Sequence, residues 1–183
     1  MSITTPSQAG KWRTLSADEF AQNPDARLGG VLAVIFWAAT AIVVALLLTL
    51  AIIVTLGGFL PITMFAEIMF LASAPGSALT IARLQALQQA LFAVWAFVFM
   101  VMTLTRRQST PNVTSVLMVI WALSAIGAGI AEQYLNVTGG FDPTSPLWAL
   151  LLILLVVALA AAFCRYMSKG RRPNVYFRRR VRA

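Results

Sequence analysis

The sequence predicts an all-α integral membrane protein, a four-helix bundle with both termini in the cytoplasm. Three observations lead there. Hydrophobic residues make up 60 % of the chain and charged residues 11 %, against roughly 45–50 % and about 25 % in soluble domains. Four apolar runs each approach the ~20 residues that a helix needs to cross a hydrocarbon core of about 30 Å. The chain has 14 Lys and Arg, and four spans would put all but Arg83 on one side of the membrane.

The arm over residues 1–27 is polar, which argues against a cleavable signal; the apolar run that follows is also too long for a signal core. Within the arm, Ser16–Glu19 reads SADE, the spacing of a capping box. It predicts a short helix through Phe20 before Pro24, or else a disordered arm, since short isolated helices are marginal in water. The membrane domain spans residues 28–167. Its first span, about 31–56, carries no charge; Gly29–Gly30 precede it and Gly57, Gly58 and Pro61 end it.

The connection to the second span is too apolar for an ordinary loop. Residues 61–73 fit a short interfacial or re-entrant helix and are too few to cross and return. APGS, Ala74 to Ser77, marks a turn. A helix from about Ala78 then runs into the second span, 84–104. Arg106, Arg107 and Pro111 separate it from the third span, 113–131. Gly139, Gly140, Pro143 and Pro146 fill the next gap, and the fourth span covers 147–167. Pro146 stands in a first turn, where proline is tolerated. No run alternates with period two, so none reads as a barrel strand.

Residues 168–183 form a basic tail. Arg171, Arg172, Arg178, Arg179, Arg180 and Arg182 suit the cytoplasmic side of a membrane protein and contact with anionic headgroups or a protein partner. They do not lie on a folded face with polar partners, so nucleic-acid binding is not expected.

Two polar clusters are candidates for function. Glu67, Arg83 and Glu132 fall on the outer side, where Glu67 and Arg83 are suited to pair. Gln85, Gln88 and Gln89 share one helical face; they serve either as interhelical hydrogen-bonding groups or as the lining of a small aqueous vestibule. In the third span, Ser124, Ala125, Gly127, Ala128, Gly129 and Ala131 form a small-residue face. Ala125/Gly129 and Gly127/Ala131 have the four-residue spacing that lets helices approach closely, within this bundle or against a partner. Trp95 and Trp121 lie mid-span, either in the core or at a lipid-facing partner site.

Signals for catalysis are sparse. The chain has no histidine and one cysteine, and it shows no paired carboxylates, phosphate loop or triad. No enzyme activity, cofactor or metal is expected. Cys164 is either a juxtamembrane acylation site or a small apolar residue.

Three stretches, LGGVLAVIFW, TRRQSTPNV and YMSKGRRPNVYF, resemble a family of bacterial four-span inner-membrane proteins grouped as a domain of unknown function. That family usually has Trp where this chain has Val31, and Arg-Val where it has Arg172–Pro173. The resemblance implies a multi-pass inner-membrane protein and no particular activity. The expected function is a non-catalytic accessory or regulatory partner in a membrane complex, binding membrane lipids and a membrane protein or a second copy of itself. The alternative is a small oligomeric transporter or channel with a polar path near Gln85, Gln88 and Gln89.

Overall fold

A computed structural model describes residues 12–57, 77–139 and 146–182. Four long helices dominate it. With α1 kept for a short helix in the arm, they are α2, Gly30–Gly57; α3, Ser77–Leu104; α4, Thr110–Gly139; and α5, Pro146–Lys169. At about 1.5 Å per residue, each is longer than a hydrocarbon core of about 30 Å. All four are apolar enough to cross a membrane. The chain is thus an all-α multi-pass membrane protein of four-helix-bundle type.

The helix boundaries follow the local chemistry. α3 begins at Ser77, the last residue of the APGS sequence, and α5 begins at Pro146, which lacks only a donor that a first turn cannot use. α4 continues past Ala131 to Gly139. Glu132 therefore lies within the helix, directly after the span's end at Ala131. Hydropathy marks where lipid ends, whereas a helix can run on beyond it, here as far as Gly139. The expected interfacial segment at 61–73 lies outside the described residues.

α3 packs along both α2 and α4, and α4 along α5. The interior is aromatic. Trp95 lies 5.3 Å from Phe163, 5.7 Å from Phe99 and 5.3 Å from Phe92, centroid to centroid, and Phe92 lies 4.8 Å from Trp121. Such rings bury large areas and gain a further ~0.5–1.5 kcal/mol per well-placed pair. Leu32, Phe36, Ala39 and Val43 supply the buried stripe of α2. Its other faces stay apolar and exposed, as at Val34, Trp37 and Leu47; such a helix is suited to lipid.

The tail is a folded element. Arg171–Arg178 forms a helix, α6, in which Pro173 to Phe177 are all buried. After it, β2 (Arg180–Arg182) pairs antiparallel with β1 (Trp12–Thr14) of the N-terminal arm, with Arg13 opposite Val181. The arm also carries the expected short helix, α1, Ala17–Gln22, with a complete capping box between Ser16 and Glu19. Leu15, Ala26 and Val175 form a small core with Phe20 and Val181. Arm and tail thus make one cap over a single end of the bundle, where Trp12 and Arg182, the first and last residues described, pair.

Candidate functional site

The cap is held by specific polar contacts. Asp25 accepts ion pairs from Arg171 at 2.9 Å and from Arg172 at 3.0 Å. Arg172 packs against Gly29, where an added Cβ would come within 2.6 Å of its guanidinium. Gly30 has φ +56°, the left-handed region that favours glycine. The glycine pair therefore makes a close approach and a turn into α2, besides marking the edge of a span. Asn174, buried in α6, donates to the carbonyls of Gly170 at 2.8 Å and Ser168 at 3.1 Å.

The basic turn between α3 and α4 also reaches the cap. The Tyr176 hydroxyl donates to the Thr103 carbonyl at 3.3 Å, and Arg106 lies 4.9 Å over the Tyr176 ring. Arg178 donates to the Asn112 side chain at 2.6 Å. Arg179 closes α6 in the left-handed region and stacks on Phe20 at 4.9 Å. Arg171, Arg172, Arg178 and Arg179, expected to face headgroups or a partner, thus each make an intramolecular contact. Arg180 is exposed on β2, and the Arg182 side chain lies outside those described. The buried run PNVYF between arginines was the available sequence signal for a folded tail. Outside the membrane, the Ser16 backbone N–H and then Arg13 hold the Glu19 carboxyl below its ordinary pKa.

At the opposite end, Gln85, Gln88 and Gln89 do gather, lining a recess of about 230 Å³ that ends on Phe92 and Trp121. Arg83 is half-buried at the start of this segment. Glu67 and the Glu132 side chain lie outside the described ones, so the expected acidic partners are not placed. The small-residue face divides. Ala125 and Ala128 are buried, and Gly129 lies against Ile153 of α5. An added Cβ at Gly127 would meet nothing within 4 Å. Ser124 donates to the Trp121 carbonyl at 2.7 Å, and Ala131 is half-buried. Cys164 is also half-buried, with Sγ 3.8 Å from the Ser115 carbonyl of α4.

A larger feature was not foreseen. α2 and α5 stand apart in the capped half of the bundle and leave a lateral groove of about 480 Å³. Val31, Val34, Ala38 and Ile42 form one wall, and Leu159, Ala162 and Tyr166 the other. Phe92, Trp95, Met118 and Trp121 line it as well. Trp95 is in the core and Trp121 is half-buried, so both tryptophans serve the interior and this groove together. Phe92 and Trp121 also border the glutamine recess; their contact separates a polar recess from an apolar groove.

Comparison with protein-family models, curated proteins and solved structures finds no match in any of the three.

Proposed function

We propose that the chain is a non-catalytic accessory or regulatory subunit of a bacterial inner-membrane complex, with the cap in the cytoplasm and acting as its docking module. The observation that carries this reading is the fold shared by arm and tail. Stopping translocation requires only positive charge. Burying Pro173–Phe177 and pairing β1 with β2 goes further and builds a surface of fixed shape. On that surface Trp12, Leu15 and Val181 lie beside Arg13, Lys169 and Arg171 around a recess of about 760 Å³. Aromatic and arginine side chains together are the usual anchors of protein interfaces. The cytoplasmic orientation is supported by the gathering of basic residues at the capped end.

The test is photo-cross-linking from Trp12 and Arg171 positions in native membranes, followed by mild-detergent purification. A defined protein partner, captured less efficiently when Asn174→Ala loosens the cap, is the expected result. A clean monomer with no cross-linked protein would overturn the reading.

A second reading, a small transporter, draws on the glutamine recess. That recess ends on the Phe92–Trp121 contact, so a polar path would require these rings to separate. Flux through reconstituted protein, abolished by Gln88→Leu without loss of folding, is the result that favours it.

A further inference from the structure

We propose that the groove between α2 and α5 holds one acyl chain of an anionic phospholipid drawn from the leaflet on the capped side. Three observations identify the occupant. The first is length: Ile42 lies 11 residues beyond Val31, or about 16 Å at 1.5 Å per residue. That is close to one leaflet, half of a core of about 30 Å. The groove thus begins at the capped end and stops near mid-membrane, where Phe92 and Trp121 close it. A partner helix that crossed the membrane would need a seam of twice that length.

The second is access. Val31, Val34, Ala38, Leu159 and Ala162 are exposed along the walls. In a bilayer these faces meet lipid, so a chain enters sideways without any opening movement.

The third is charge at the mouth. Lys169 lies seven residues after Ala162, on the same face of α5, and Arg27 precedes the turn into α2, its carbonyl accepting from Arg172 at 3.5 Å. Both are exposed. Arg172 packs against Gly29 at the start of α2, and Asp25, paired with Arg171 and Arg172, offsets one of these charges. The groove lining contains no ionised side chain. Bulk lipid is as apolar as the groove, so burial of the chain gives little preference. Selection comes from the headgroup, and the mouth favours a negative one. Each exposed cation near a headgroup contributes about fivefold in affinity.

The test uses purified full-length protein in detergent, with Trp12, Trp37 and Trp148 changed to Phe so that only Trp95 and Trp121 report. Brominated phosphatidylglycerol and brominated phosphatidylcholine are titrated separately. Saturable quenching at one lipid per chain is expected for phosphatidylglycerol, with much weaker binding of phosphatidylcholine. Arg27→Gln with Lys169→Gln should reduce that preference on the order of twentyfold. Ala38→Phe with Ala162→Phe, on exposed walls, should abolish saturable quenching. Native mass spectra of the unsubstituted chain read the stoichiometry independently, should the filled variant fail to fold. Equal binding of the two lipids, quenching that never saturates, or a dimer cross-linked through positions 38 and 162 would each overturn the proposal.

Discussion

Asn174→Ala tests whether the cap is a cooperative unit or a loosely draped tail. The side chain is 2 % exposed and spans the junction between α5 and α6. Its amide donates to Gly170 and Ser168, and its oxygen accepts a longer bond of 3.4 Å from Arg178. Removing it frees both carbonyls of two neutral bonds, each contributing about 1 kcal/mol net. The Gly170 carbonyl keeps the Asn174 backbone N–H at 3.3 Å, so the loss is not larger. The total, about 2 kcal/mol, raises the open population of the cap about 30-fold, since 1.4 kcal/mol is tenfold. Hydrogen exchange of the Val175, Tyr176 and Phe177 amides reads that population directly. Exchange should quicken about 30-fold in the variant, while Ser168→Ala, whose exposed hydroxyl bonds only to the Arg165 carbonyl, should change little. Rates within twofold of the parent for Asn174→Ala would show that the buried amide does not hold the cap, and the reasoning would fail.

Tyr176→Phe keeps the ring beneath Arg106 and loses only the bond to Thr103, whose carbonyl retains the Arg106 N–H at 3.2 Å; the same amides should exchange about fivefold faster, for roughly 1 kcal/mol. Gly30→Ala forces an L residue into the left-handed region, which costs about 1–2 kcal/mol, and should lower the thermal midpoint in detergent. Gly29→Ala meets the mobile end of Arg172 and should lower the midpoint less. Glu19 has a lowered pKa in the folded chain, so its contribution is complete above the unfolded carboxylate value and is lost as pH falls through the lowered one. Acid should therefore release the Ser16 and Glu19 amides to exchange before it affects those of α6, measured by NMR across the acidic range.

Most of the membrane fold was legible because lipid imposes one simple rule, a long uncharged helix, and Val31–Leu56 or Leu147–Phe163 can hardly obey another. The SADE box was equally readable, since Ser16 and Glu19 satisfy each other within four residues. The cap was not. Its contacts join Arg13 to Val181 and Asp25 to Arg171 across nearly the whole chain, and no local pattern encodes such a pairing. The arginines obscured it further: a run of positive charge has a sufficient explanation at the membrane surface, which hides the buried Val175, Tyr176 and Phe177 between them. The groove escaped for a different reason. It arises from how α2 and α5 diverge, and both helices are apolar on every side, so their sequences do not show which faces remain apart. Gln85, Gln88 and Gln89 were placed on one face by spacing alone, but their closure by Phe92 and Trp121 depends on how α3 meets α4.

The pairing of β1 with β2 sets a timetable for biogenesis. Trp12–Thr14 leaves the ribosome about 170 residues ahead of Arg180–Arg182, which at 5–20 residues per second is on the order of ten to thirty seconds. Until then Leu15, Phe20 and Ala26 have no Val175 or Val181 to cover them, so the small core of the cap is the last part of the fold that can form.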